Sequence, residues 1–419
     1  METNFRQIVA EQREELTVYN KIGWVPRDLE NAVKTKSRLA QIITGVRRSG
    51  KSMLAHRALK GLNYAYVNFD DERLSGIDAA RLNDLLEAVY NVYGEFTHLL
   101  LDEIQNVEYW HLFVNRLLRK NIHIVLTGSN SKLLGREMAT HLTGRYNTIE
   151  LFPFSFKEFL KIRNIQLAGT ETAKDRGILS RNFDEYLLCG GFPEILMGET
   201  KTSYIENLFE AIVTRDIIFR YHIRHVRAFR QTAEYLSNNF ASELSYNRVK
   251  NLFGLGSENT AKNYISYLEE AYLVLTLPKF SFKNQERLRY RKTYIIDNAF
   301  SGVTSVKFTS DSGRLLENVI FLELSRRSRT NHFELFYYKK QYEVDFVLYK
   351  NLKVLELIQV TLSTQDEKTL KREMRALIHA AKELDMHELT IITLNEQREI
   401  REDSHIIKII PAWKWLLES

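Results

Sequence analysis

The octet Gly45-Val46-Arg47-Arg48-Ser49-Gly50-Lys51-Ser52 has the spacing GxxxxGK[ST], with the apolar run "LAQIIT" ahead of it and the helix-like "SMLAHRALKGL" behind. A strand that turns through glycines into a helix aims backbone N–H groups and the positive helix end at an anion. Phosphates fit that cradle, with the Lys51 ammonium on their oxygens and the Ser52 hydroxyl on a magnesium ion. The octet together with Met53 is therefore a candidate loop for ATP and Mg2+.

Magnesium also requires a carboxylate, delivered from the end of another strand. In "HLLLDEIQNVEYW", Leu99, Leu100 and Leu101 read as a buried strand, Asp102 ends it and Glu103 follows. Asp102 is assigned to the metal, and Glu103 to orienting and activating water. A further apolar run, "NIHIVLTGSN", finishes in Thr127, Gly128, Ser129 and Asn130. A polar side chain there would reach the γ-phosphate or the attacking water from between the first two strands, and Ser129 and Asn130 are both candidates. Arg145, just ahead of "NTIELF", is a candidate to reach a phosphate held by a neighbouring subunit, which implies a homo-oligomer.

The elements that must carry these groups form only part of the chain. At 419 residues it is too long for one core. Hydrophobic residues at 44 % and five prolines fit a folded, helix-rich protein. The formal charge of +6 comes from 59 basic and 53 acidic residues, a mild excess that permits nucleic-acid binding without requiring it. A single cysteine, Cys189, excludes an intramolecular disulfide and a cysteine-based zinc cluster, and fits a reducing cytoplasm. No window reads as a signal peptide or a membrane span, so no membrane partner is expected.

"GVRRSGKS", "LLLDEIQNVEYW", "LTGSN", "TGRYNTIELFPFSFKEFL" and "LLCGGFPEIL" together resemble an archaeal and bacterial ATPase family that pairs an AAA-type ATP-binding domain with a C-terminal DUF4143 domain. The resemblance spans essentially the whole chain. It implies a P-loop NTPase sheet of the AAA+/ASCE class, with an extra strand between the phosphate loop and the acidic strand, placed at "NYAYVNFDDE". It also marks Arg27 in "WVPRDL", the turn "CGGFPEI" and Asp216 in "VTRDII" as motif positions.

Between residues 155 and 240 the periodicity is helical, as in "FKEFLKIR" and "YIENLFEAIVTRDIIFRYH", and reads as a helical lid or connector. "YNRVKNLFGLGSENTAKNYISYLEEAYLVLTL" then shows a short helix, a glycine turn, Ser257 as N-cap, and a second helix with Ala261, Tyr264, Ile265 and Leu268 on one face. That pattern predicts a winged helix-turn-helix, with Asn259, Lys262 and Asn263 on the face that could meet DNA.

From about residue 310 a helix, three strands, a helix and a strand follow in an order that resembles the PD-(D/E)xK nuclease fold, a restriction-endonuclease-like α/β domain. Glu323 and Asp345 stand where that fold implies metal-binding carboxylates. The expected ExK-like triplet reads Gln359-Val360-Thr361 instead, keeping an oxygen ligand but losing a charge and the lysine, so cleavage is not expected.

The resulting expectation is an α/β protein with an ATP-binding domain at 1–160, a lid at 161–227, a winged helix at 228–282 and a nuclease-like domain at 283–419. Its function would be Mg2+-dependent ATP hydrolysis coupled to DNA or protein binding. The alternatives are a nucleotide-gated binding module with negligible turnover and an ATP-gated, metal-dependent nuclease.

Overall fold

The structure, a computed structural model, describes residues 4–19, 25–78, 80–129, 142, 144–165, 172–198, 200–301 and 312–418. The chain forms two compact units, one of Met1–Pro153 with Glu270–Tyr272, the other of Phe154–Glu269 with Leu273–Ser419.

In the first unit, strands β1 (Ala40–Thr44), β2 (Tyr64–Asn68), β3 (His98–Asp102), β4 (His123–Gly128) and β5 (Tyr146–Glu150) form one sheet in the order β2-β3-β4-β1-β5. Every neighbouring pair is parallel. Covering both faces of such a sheet requires unbroken apolar runs, and β1 and β3 are buried at every position. Alternate residues feed two cores, with Ile42, Leu99 and Leu101 in one and Ile43, Leu100 and Val125 in the other.

One expectation needs correction. "NYAYVNFDDE" lies between the phosphate loop and the acidic strand in sequence, but its strand β2 is at the sheet edge; the strand between β1 and β3 is β4, of "NIHIVLTGSN", which was expected between the first two strands. Crossover connections free a strand from the position its sequence neighbours suggest. The pairs Thr44↔Gly128 and Leu101↔Leu126 bring the carboxyl ends of β1, β3 and β4 to one edge.

The second unit begins with helices whose start signals are explicit: Phe156–Ile162 and Ala173–Cys189 both open on capping boxes, Ser155 with Glu158 and Thr172 with Asp175. "CGGFPEI" is a corner in which a Cβ on Gly190 would lie 1.7 Å from Asp297 Oδ1, and one on Gly191 2.2 Å from the Phe154 carbonyl oxygen. The Asp297 carboxylate accepts from the Gly191 and Ala299 N–H groups, each at 2.8 Å. Asp216 is buried within a π-helical stretch, Ile212–Phe219.

Helix Val226–Asn238, strand β6 (Ser242–Leu244), helices Tyr246–Leu252 and Glu258–Glu270, and strands β7 (Val274–Pro278) and β8 (Arg291–Ile295) come next. The three strands form an antiparallel sheet in the order β6-β8-β7, so its last strand lies beyond residue 282, where the sequence reading ended this part. Ser257 Oγ accepts from the Thr260 N–H at 3.1 Å as the N-cap, and Ala261, Tyr264, Ile265 and Leu268 form the buried face of their helix.

Helix Ser312–Asn331 leads into β9 (Glu334–Lys339), β10 (Glu343–Lys350) and β11 (Lys353–Val360); helix Glu367–Leu384 crosses to β12 (Glu388–Thr393), followed by β13 (Arg398–Glu402) and β14 (His405–Pro411). These six strands form a mixed sheet in the order β13-β14-β12-β11-β10-β9. Met374, Leu377 and Ala381 of the crossover helix pack on Val347, Leu357 and Ile391. Among the described residues no helix is long and apolar enough to cross a membrane.

Candidate functional site

The octet leaves β1 and enters helix Lys51–Leu59 at the edge where the strands end. Gly45 is required there: at φ +152° a Cβ would stand 2.0 Å from the Leu151 carbonyl oxygen. Arg27 braces the loop, its buried guanidinium donating to the Ser49 carbonyl at 2.8 Å and the Phe152 carbonyl at 2.6 Å. The resemblance marked this arginine, but only the structure shows what it holds.

Lys51 is buried, and its ammonium donates to the Val46 carbonyl at 3.1 Å and stands 3.8 Å from Glu103 Oε1. Ser52 Oγ donates to Asp102 Oδ1 at 2.9 Å. The structure thus joins the loop's last hydroxyl to the acidic strand across 50 residues of chain. Val46 is buried, Met53 is half-buried, Arg48 is exposed, and Arg47 pairs with Asp70 at 3.6 Å.

Asp102 is pushed up to about 6 by burial and then by Glu103, against hydrogen bonds from Thr127 and Ser52 that favour its charged form. A divalent cation beside it would supply the missing positive charge. Burial also pushes Glu103 upward, but Lys51, Gln105, Arg47 and Ser129 outweigh it and hold the carboxyl below its ordinary value. Glu103 adopts a left-handed backbone at φ 52°, a strain of about 1 kcal/mol or more of the kind concentrated at working sites.

The polar group at the end of β4 is partly one that sequence reasoning passed over. Thr127 Oγ1 donates to Asp102 Oδ1 and accepts from the Glu103 N–H at 3.1 Å. Ser129 Oγ donates to Glu103 Oε2 at 3.2 Å, and Gln105 Nε2 donates to the same carboxylate. The signal for Thr127 was its place as the last side chain of an apolar strand. Asn130 lies outside the described residues.

The site fits a magnesium nucleotide. The buried Ser49 hydroxyl of the loop has no partner among the described residues, Lys51 sits beneath the curl, and Ser52 and Asp102 offer two hard oxygens side by side. Arg145 does not join them. It is exposed and its carbonyl accepts from the Ala40 N–H at the start of β1, whereas the loop leaves the other end of that five-residue strand, about 16 Å away.

Comparison with known proteins accords with this geometry. Residues 37–160 match an AAA domain, 180–307 a domain of unknown function, DUF8612, and 312–415 another, DUF4143. An uncharacterized protein of Methanocaldococcus jannaschii, MJ1544, is 35 % identical over 99 % of this chain and 95 % of its own. The chain belongs to the AAA-domain family of archaeal and bacterial proteins. Another relative in this family, an uncharacterized protein of Haemophilus influenzae, is 28 % identical over 90 % of this chain and 94 % of its own. Among solved structures, the Walker-type ATPase PABY2304 of Pyrococcus abyssi aligns over 66 % of this chain and 95 % of its own, at 13 % identity and a TM-score of 0.39. Membership of the AAA-domain family implies nucleotide binding.

In the C-terminal part of this family member, the candidate carboxylates separate. Asp345 is buried on β10, where pairing with β9 slips between Val344 and Val347, and its N–H donates to Gln359 Oε1 at 3.3 Å. Glu323 is not with them: it pairs with Arg327 at 2.9 Å and Arg326 at 3.4 Å. The helix residue facing Asp345 is Glu317, six positions earlier and on a different side of the helix at 3.6 residues per turn. Thr361, in the place of the expected lysine, is half-buried and its N–H donates to the Ile392 carbonyl.

Proposed function

We propose that this protein is a Mg2+-dependent ATPase whose nucleotide state controls binding by the C-terminal half. The observation that carries this reading is the meeting of the Ser52 hydroxyl and the Asp102 carboxylate at 2.9 Å, beside the Lys51 ammonium. Lys51 neutralises the β- and γ-phosphates, Ser52 and Asp102 hold the cation, and Glu103 takes the proton of the attacking water while Ser129 and Thr127 orient it. Magnesium supplies charge neutralisation on the β- and γ-oxygens when bound. Arg145, remote from its own loop, serves the phosphate of a second copy of the chain.

The helix-strand-helix-helix-strand order over 226–278, closed by a short helix Asn284–Arg289 and strand β8, supports a winged helix, and the exposure of Asn259, Lys262 and Asn263 supports DNA as its partner. The helix, three strands, crossover helix and strand from Ser312 onward support a nuclease-like domain. A second reading, a nucleotide-gated module with negligible turnover, draws on Glu103: a carboxylate held by Gln105, Ser129 and Lys51 is a weaker base.

Phosphate release and nucleotide affinity, each measured with and without duplex DNA at several salt concentrations, test these readings together. Lys51→Ala is expected to weaken ATP binding by about 100-fold or more, whereas Glu103→Gln keeps binding and lowers turnover by about 10² to 10⁴-fold. Equal turnover in Glu103→Gln refutes the assigned base. Negligible wild-type turnover with intact binding selects the gated module. DNA affinity that does not fall with salt refutes phosphate contacts.

A further inference from the structure

The second unit buries a lysine that the nucleotide site does not use. The side chain of Lys292 on β8 is 3 % exposed, and its ammonium meets Glu343 Oε1 at 2.7 Å, Glu317 Oε1 at 3.1 Å and Asp345 Oδ1 at 3.2 Å. An ammonium has three N–H donors, so one acceptor apiece leaves none over.

The acceptors are themselves fixed. The Tyr294 hydroxyl donates to Glu317 Oε1 at 2.8 Å, and the Val360 N–H to Asp345 Oδ2 at 2.9 Å. Gln359 is occupied at both ends: its oxygen takes the Asp345 N–H at 3.3 Å, and its amide donates to Glu373 Oε2 at 2.9 Å.

Carboxylates converging on one point from a helix and a strand are what an oxygen-bound divalent cation needs, but such an ion requires ligands at about 2.0–2.6 Å. The separations here, 2.7–3.2 Å, are those of N–H···O bonds. Ammonium and metal cannot share the point. With the ammonium between them the carboxylates keep N–H···O spacing and form no metal site, and among the described residues no group of three or more His, Cys, Asp or Glu side chains is arranged to hold a metal ion as it stands. A cation replacing the ammonium draws them inward by about 0.5 Å.

We propose that Lys292 is the resident cation of this carboxylate cage, standing where a divalent metal would otherwise bind, so that the C-terminal half works as a metal-free binding scaffold and not as a phosphodiesterase. The inference deepens the proposed reading of that half but rests on the cage alone, and it stands or falls whether or not the chain hydrolyses ATP. The charge balance agrees: burial and then Asp345 push Glu317 up, to about 7, which eases the cage's negative excess.

The test uses the full-length, nucleotide-free chain at pH 8, with bound Mn2+ counted from the electron-paramagnetic-resonance signal of the free ion. Glu317→Gln, a near-isosteric change, is expected to leave the wild-type Mn2+ stoichiometry unchanged. Lys292→Ala is expected to bind one Mn2+ more than wild type, with a Kd of about 10⁻⁵ to 10⁻³ M, and Lys292→Ala/Glu317→Gln to lose it. A folded Lys292→Ala that gains no Mn2+ overturns the proposal. So does a wild-type Mn2+ site, or Mn2+-dependent nicking of supercoiled plasmid, that Glu317→Gln removes. Should Lys292→Ala fail to fold, the wild-type and Glu317→Gln pair decides on its own, through stoichiometry and nicking.

Discussion

Lys51 and Lys292 are both buried lysines facing carboxylates, but they are held in opposite ways. Among the described residues Lys51 donates to one carbonyl, at 3.1 Å, and stands 3.8 Å from Glu103, and the Ser49 hydroxyl of its loop has no partner. Lys292 has a carboxylate for each of its three protons, all within 3.2 Å. The same residue types make an open site in the first unit and a closed one in the second. What separates them is how much hydrogen-bonding capacity the fold leaves unspent. An anionic ligand needs the spare capacity of the first arrangement, whereas the second is already complete.

Stability measurements give the largest contrast. Lys292→Met strands Glu317 and Asp345 in the interior, while the part-exposed Glu343 keeps Lys339, and losing one side of a buried ion cluster costs about 3–5 kcal/mol. Lys51→Met in the nucleotide-free protein removes one carbonyl contact and the looser 3.8 Å pairing with Glu103, which keeps Gln105 and Ser129, and is expected to cost less, about 1–2 kcal/mol. Urea unfolding of both full-length variants checks this. Equal losses would break the distinction between an open and a closed lysine.

The two clusters were not equally legible in the sequence. The nucleotide site is built mostly from short-range signals: a glycine loop between a strand and a helix, and a carboxylate pair at the end of an apolar run. Lys51, Ser52, Asp102 and Glu103 could therefore be named together as candidates from local sequence signals. The cage is assembled from β8, helix Ser312–Asn331 and β10, and no local pattern announces that Lys292 will meet Asp345 across 53 residues. Sequence reading named Glu323 on this helix and did not consider Glu317, because spacing from a distant motif does not determine which helix face meets β10. The strands β13 and β14 were missed for a different reason: "REIRE" is nearly all charged and "HIIKIIP" is broken by Lys408, so neither shows the clean alternation of a half-buried strand.

Titration sharpens the contrast by a smaller amount. Glu317 is raised from an ordinary 4.5 to about 7, by burial and then by Asp345. A carboxyl raised on folding contributes stability that is fully present below about 4.5 and lost as the pH rises through 7. The wild-type chain should therefore lose on the order of 1–3 kcal/mol between pH 5 and pH 8 from this group, and Glu317→Gln should flatten that decline. Asp345 is also raised, by burial first, so a residual slope of the same sign remains. Thermal unfolding at pH 5, 6, 7 and 8 reads the difference, and identical slopes would show that the cage does not titrate in this window.

The smallest effect falls within the open site and asks which of its polar groups are structural and which act on turnover. Thr127 joins the two carboxylate residues, donating to Asp102 Oδ1 and accepting from the Glu103 N–H at 3.1 Å. Valine has the same shape without the hydroxyl, so Thr127→Val leaves a buried donor and a buried carboxylate short of a partner, at a cost of about 1–2 kcal/mol. Asp102 keeps Ser52, so nucleotide affinity should change by less than about threefold. Glu103, its backbone no longer pinned, should lose alignment, and turnover should fall by about tenfold. Thr127→Ser restores the hydroxyl and should recover turnover, which a packing defect alone would not predict. A Thr127→Val variant with full turnover and weakened binding would instead make Thr127 a support for the cation's ligand, and leave Ser129 as the β4 residue that positions Glu103.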